Sequence, residues 1–219
     1  MFPDDLHPTR RKIREAAEPL FARGGLAGVS LREITSAAQV NLAAVNYHFY
    51  DKSSLYKELL VFRLRQINRE RLTLLEGLES LAPANRHPAL IETIAALARP
   101  LFLPSAETGP YAPRLVSRLF LDRAEGVDLI IQEEVAPVLS RFGQACRRQA
   151  MALPPEDFMW RFSQMVGALH HAVLLLPDMA TLTRDLCRPE NADRALANFC
   201  VGAAQGFQTP ASESTLTIR

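Results

Sequence analysis

Cysteine is scarce. Cys146, Cys187 and Cys200 are three in 219 residues, an odd number with no C-x-x-C pair and no Cys/His spacing of a zinc site. A disulfide framework and a metal centre are therefore not expected, and the thiols read as small buried groups in a reducing compartment. Long apolar runs are scarce too. The longest, MVGALHHAVLLL at 165–176, contains two histidines and falls short of the roughly 20 residues that span a bilayer as a helix. Asp4 and Asp5 stand where a secretory signal would begin its basic and apolar regions. The chain has no G-x-S-x-G, H-E-x-x-H, P-loop or Rossmann glycine motif, and GGLAG at 24–28 is followed by no Lys-Ser/Thr pair. No enzyme and no cofactor is expected. Hairpin dipeptides between alternating runs are missing as well, which argues against β structure. The expectation is a cytoplasmic protein with no membrane partner.

What is present has a helical period. The chain is 48% hydrophobic and 22% charged, a globular composition. From Thr9, apolar side chains recur at Ile13, Ala16, Ala17, Leu20 and Phe21 until Gly24-Gly25, one face of a helix. Ser30 and Glu33 form an S-x-x-E capping box, with Leu31, Ile34 and Ala38 facing inward. A turn at 39–41 leads into NLAAVNYHFYDKSSL at 41–55. Asp51 is placed to cap a long helix over 52–77. Further helices are expected at about 88–103, 110–124, 127–150, 155–176 and 190–207. Pro19, Pro100 and Pro137 fall inside these segments and should kink or shorten them. The fold class is all-α: a three-helix helix-turn-helix domain over 1–52, a helical bundle over 53–208, and a polar, mobile tail over 209–219.

Two short helices joined by a tight turn and backed by a third make a helix-turn-helix. Val45 and Phe49 lie four apart and can pin the second short helix onto Ile34 and Phe21, which leaves Leu42, Ala43, Asn46 and Tyr47 on the outer side. That face is small and mixed. An alanine or leucine can touch a thymine methyl and an asparagine can pair with adenine, so Leu42, Ala43 and Asn46 are the candidate base contacts. Ser30, Arg32, Tyr47, His48 and Lys52 are the candidate phosphate contacts, which set register and affinity. Charge agrees weakly: residues 1–75 hold 12 Lys+Arg against 8 Asp+Glu although the whole chain is only +1.

The stretch 9–60 resembles the DNA-binding domain of the TetR family of bacterial transcriptional regulators. The resemblance rests on Ala17, Leu20, Phe21 and Gly25 at the end of the first helix, Ile34, Val40, the triplet Tyr47–Phe49, and Lys52. Gln39 and Tyr50 stand where the family commonly has glycine, Asn46 where it commonly has tyrosine, and Pro19 interrupts the first helix. VNLAAVNYHF is similar to one branch, some of whose members answer to fatty acids or acyl-CoA. The resemblance implies a homodimer on a near-palindromic double-stranded DNA operator, a small-molecule effector that releases it, and repression as the output. It also implies a four-helix dimer interface from the last two long helices, to which the stripes Leu169, His170, Val173 and Leu196, Phe199, Ala203 are assigned.

Outside that stretch the residues must speak alone. Phe102, Arg118, Phe120, Phe142, Met159, Phe162 and Met165 could line an effector cavity or fill a solid core. Arg118 and Arg123 are the candidates to meet an acidic group on the effector. His170 and His171 are sequence neighbours that point about 100° apart on a helix and cannot chelate together. A helical protein-binding adaptor that keeps the helix-turn-helix only as scaffold is the alternative function.

Overall fold

The computed structural model describes residues 7–83, 86–122 and 125–210, and every regular element among them is helical. Helix α1 (Pro8–Gly24), α2 (Leu31–Ala38) and α3 (Leu42–Phe49) form the expected amino-terminal triple. The two expected caps, at Ser30 and at Asp51, are in place, and Asn41 adds a third. Ser30 and Glu33 close a reciprocal capping box, Asn41 Oδ1 accepts from Ala44 N–H at 2.8 Å, and Asp51 Oδ1 accepts from Ser54 N–H at 2.7 Å. Ile13, Ala17, Phe21, Ile34, Val45 and Phe49 are buried together, so one small core orients all three helices.

Helix α4 (Lys52–Leu81) passes Gly77 by a further turn and spans the molecule. It is tied to α1 by ion pairs of Glu58 with Arg10 at 2.7 Å and with Arg14, and of Arg63 with Glu18 at 2.6 Å. The remaining helices are α5 (Leu90–Phe102), α6 (Ala112–Ser117), α7 (Val127–Ile130), α8 (Ala136–Arg147), α9 (Pro155–Leu175), α10 (Met179–Leu182) and α11 (Ala192–Gln208); α5 and α6 pack on α4, α8 and α11 on α5, and α9 on α6. The helical stretch Pro155–Leu182 has the length and apolarity to cross a membrane. Phe158, Phe162, Met165, Leu169 and Val173 bury one stripe of it against the rest of the chain, and 28% of its most apolar window is buried.

Three expectations are corrected. Pro19 and Pro100 do not end α1 and α5, which continue to Gly24 and Phe102. Pro137 does act locally: it has no N–H for the carbonyl of Glu133, and the turn before it, Ile131–Val135, widens into a π-helix. Asn68 Nδ2 donates to the Glu134 carbonyl in that turn at 2.6 Å. The segment expected as one helix over 110–124 is α6 followed by a 3-10 turn, Arg118–Phe120, after which Leu121 and Asp122 N–H both donate to Arg118 O at 2.8 Å. Most of the tail expected over 209–219, and Arg123, lie outside the described residues.

Gln39 and Tyr50 both adopt positive φ, 55° and 65°. At Tyr50 the N–H of Asp51 donates to Phe49 O at 2.8 Å with ψ at −54°, a γ-turn of the rare, strained positive-φ form. The ring is 85% exposed and packs on little. Tyr50→Gly is expected to stabilise the chain by about 1 kcal/mol, the relief of strain exceeding the entropy that glycine adds to the unfolded state. A urea titration checks this, and a lower midpoint would show that the tyrosine side chain contributes contacts after all.

Candidate nucleic-acid interface and cavity

Helix α3 is eight residues long, about 12 Å, which suits a major groove about 12 Å wide. Val45 and Phe49 anchor it inward. Leu42 is 48% and Tyr47 81% exposed, and Ala43 and Asn46 are exposed beside them. The face picked out as a reading surface is therefore free of its own chain. The N-terminal turn of α3 points its first amides at the capping Asn41 carboxamide.

The surrounding polar groups differ in what they have left to offer. Arg32 is exposed. The Ser30 hydroxyl is committed to the capping box, donating to Glu33 Oε2 at 2.7 Å and accepting from Glu33 N–H at 3.2 Å. Lys52 Nζ donates to Val29 O at 2.6 Å, so its ammonium braces the loop before α2 and has two further N–H bonds for an anion. His48 is half-buried between His7, at 5.8 Å between rings, and Tyr47, at 5.0 Å. Burial and then the neighbouring His7 and Arg10 charges lower its pKa, so at neutral pH it offers a neutral N–H.

The larger concavity lies between α8 and α9, closed at one end by the residues after α6. Its volume is about 1220 Å3. Ile131, Val135, Leu139, Phe158, Phe162 and Val166 supply an apolar lining, and Gly143 of α8 stands opposite the Phe162 ring of α9. Of the pocket candidates that the sequence singles out, Phe120, Met159 and Phe162 line it. Phe142 and Met165 do not; they are packed in the core, as an inward stripe allows equally. Phe102 borders a separate cavity of about 330 Å3 beneath the end of α1. Arg118 is also displaced from the cavity, because its guanidinium is drawn to the carbonyl end of α1: Nε donates to Ala22 O at 3.0 Å, and Nη2 donates to Arg23 O.

Arg118 is half of a clamp. Asp122, one turn further on, accepts from Leu26 N–H at 3.1 Å and from the Tyr56 hydroxyl on α4. Burial and the Asp122 carboxylate hold the Tyr56 phenol well above its usual pKa. Between these groups runs Gly25 at φ 67° and ψ −174°, a conformation essentially confined to glycine. Ser117, Phe120 and Leu121, interleaved with Arg118 and Asp122, line the cavity. One short segment thus touches the cavity on one side and the junction of α1 and α2 on the other. Sequence reading missed this, since nothing in residues 110–124 announces partners about 95 positions upstream.

His170 and His171 diverge as expected from their spacing. His170 is buried, with Nδ1 at 3.0 Å from the Ser117 hydroxyl and its ring 4.7 Å from that of Phe120, whereas His171 is exposed. The assignment of Leu169, His170, Val173 and Leu196 to an interface is corrected: all four are buried within the chain itself. Phe199 and Ala203 are half-buried, Phe199 against Phe102 at 6.0 Å, because α11 lies on α5. What α9 and α11 leave exposed is the adjacent stripe: Trp160, Gln164, Ala168 and His171 on α9, and Ala197, Val201 and Gly202 on α11.

Residues 13–59 match the family described as bacterial regulatory proteins, tetR family, and residues 95–203 match the tetracyclin repressor-like C-terminal domain. The HTH-type transcriptional regulator AcrR of Shigella flexneri is 43% identical over 51 residues, 23% of this chain and 24% of that protein. The chain spans between about a quarter and just under half of the length of the curated relatives it matches. Among solved structures, the fatty acid degradation regulator FadR of Bacillus halodurans superposes with a TM-score of 0.60 at 15% identity, covering 93% of this chain and 96% of that one. The TetR family transcriptional regulator PfmR of Thermus thermophilus gives 0.57 at 18% identity, covering 95% and 100%. These likenesses speak for the fold.

Proposed function

The chain belongs to the tetR family of bacterial transcriptional regulators, and from that membership we propose that it acts as a cytoplasmic, dimeric, ligand-responsive repressor of a near-palindromic operator. The observation that carries the proposal is the exposed α3 face, with Leu42, Ala43 and Asn46 as base contacts and Arg32, Tyr47, His48 and Lys52 around them for phosphates. One eight-residue helix offers little area, and two-fold pairing of such helices about 34–36 Å apart is how helix-turn-helix dimers gain both affinity and site length. The exposed stripe of α9 and α11, with small residues at Gly167, Ala168, Ala197 and Gly202, suits a close four-helix contact between two copies.

The cavity between α8 and α9 suits an apolar or acyl-type effector. Its occupant would press on Ser117, Phe120 and Leu121 and so on the clamp that Arg118 and Asp122 hold over the α1–α2 junction. Such a molecule releases DNA only if it binds the DNA-incompetent arrangement more tightly, since equal affinity moves nothing.

The test is a salt series on operator and random DNA. Arg32→Ala should weaken both and flatten the log K against log salt slope by about 0.9 for each phosphate left without its cation. Asn46→Ala should reorder the preference among operator variants, at about 1–3 kcal/mol for the base concerned. Equal losses on both DNAs for both variants, or a single-chain mass in sedimentation, would overturn the proposal.

A further inference from the structure

The cavity lining has a charge of one sign. Arg147, Arg148, His170 and His171 border it and no aspartate or glutamate does. Two of these charges are already answered. Arg148 Nη2 donates to Glu79 Oε1 at 3.0 Å, and Arg147 lies over the Phe158 ring at 5.5 Å while Nη1 donates to Ala150 O. Neither leaves the cavity end near α6 explained.

Arg71 of α4 does not line the cavity but belongs to the layer behind it, since α6 packs on both α4 and α9. It is 4% exposed. Nε donates to Leu97 O at 2.8 Å and Nη1 to Asn68 Oδ1 at 3.3 Å, both neutral acceptors, and Nη2 has no partner. Among the described residues no carboxylate pairs with it, and burial alone pulls its pKa down to about 10. The guanidinium remains charged at neutral pH, so the fold holds a buried cation without a counter-ion, a costly arrangement. Its charge reaches His170, whose pKa it depresses, and His170 is itself a wall of the cavity beside Ser117 and Phe120.

We propose that the cavity takes an amphipathic organic anion, its apolar body between α8 and α9 and its acid group at the His170 wall, with the uncompensated charge of Arg71 on the far side of that wall. This rests on the reading of the cavity as the effector site, and it names the chemistry of the effector. The neutral His170 ring offers an N–H to the acid, Ser117 fixes the ring through Nδ1, and Arg71 supplies the charge. A cationic effector would face the Arg147 and Arg148 guanidiniums with no aspartate or glutamate in the lining.

Two dyes that share a ring system test it on the full chain: 1-anilinonaphthalene-8-sulfonate, and N-phenyl-1-naphthylamine, which lacks the sulfonate. The wild type should bind the sulfonate at one site per chain at least about tenfold more tightly, the range of a charge-assisted hydrogen bond. Arg71→Met should abolish that preference while changing the affinity for the neutral dye little. Methionine removes the buried charge but also the donors to Leu97 O and Asn68 Oδ1, so a thermal melt of the variant is read beside the dyes. A measurement on the wild type alone serves as a second check: decanoate should displace the neutral dye at a concentration about tenfold below that of decanol. Equal dye affinities in the wild type, or a preference that survives in Arg71→Met, overturns the anion site and leaves the effector reading standing. The expected preference combined with operator DNA that stays bound overturns the effector reading and leaves the anion site standing.

Discussion

Gly25→Ala lowers the thermal midpoint by roughly 10 °C, for a loss of about 3 kcal/mol in a chain of this size. Two costs combine. The backbone at φ 67° and ψ −174° holds a side chain only under about 1–3 kcal/mol of strain. A methyl group there would also stand 2.7 and 2.8 Å from the Asp122 carboxylate oxygens and 2.9 Å from Arg118 Nη1. Both side chains can swing away, but doing so releases Leu26 N–H, the Tyr56 hydroxyl and the carbonyl end of α1, and each hydrogen bond to a charged group is worth about 1.5–3 kcal/mol. A double-mutant cycle with Asp122→Ala isolates the collision with the carboxylate, which is gone in that background while the approach to Arg118 Nη1 and the backbone strain remain. The cycle should show a coupling of about 1 kcal/mol or more. Strict additivity would mean that the close approach carries no energy.

Acid is expected to weaken the fold well above the range in which carboxylates titrate. Burial first, and then the Arg71 charge, push the His170 pKa down to about 3, whereas in the unfolded chain it lies near 6.5. Between these values the unfolded chain binds a proton that the folded chain refuses. Stability is therefore intact above about pH 6.5 and falls with acidity, by up to about 1.4 kcal/mol per pH unit, until the folded value is reached. His48, also lowered, acts with the same sign. Glu33 and Asp51 are lowered as well, by their capping hydrogen bonds, but they are exposed and lose their contribution only at lower pH. Unfolding midpoints in urea at pH 7, 6, 5 and 4 should show the decline, and His170→Asn should flatten most of it. An unchanged slope in that variant would place the proton elsewhere.

The amino-terminal third was legible because its determinants are local. Ser30 with Glu33, Asn41 and Asp51 announce three helix starts within about two turns of sequence, and the i, i+4 pair Val45 and Phe49 tells which side of α3 is left outside. The cavity was only partly legible for the opposite reason. Periodicity says which face of a helix is turned inward; it does not say whether the space opposite is filled. Phe142 and Met165 meet other side chains, Phe162 meets a void, and all three have the same pattern in sequence. Arg118 and Arg71 show the same limit for charge. Arg118 looked available to a ligand and is bound to α1 carbonyls, whereas Arg71, midway along α4, drew no expectation at all. Its isolation depends on residues about 26 and 99 positions away in the chain, which spacing cannot reveal.

The interleaving of Ser117, Phe120 and Leu121 with Arg118 and Asp122 carries an evolutionary constraint. A lineage that altered the first three to admit a new small molecule would disturb, through the same half-dozen backbone units, the seat of the reading head. Changes of chemical preference are more freely made at Leu139, Phe162 or Val166, on the far walls. If the cavity takes an effector as proposed, drift in the recognised compound and drift in basal grip on DNA can proceed separately only when substitutions keep to that side.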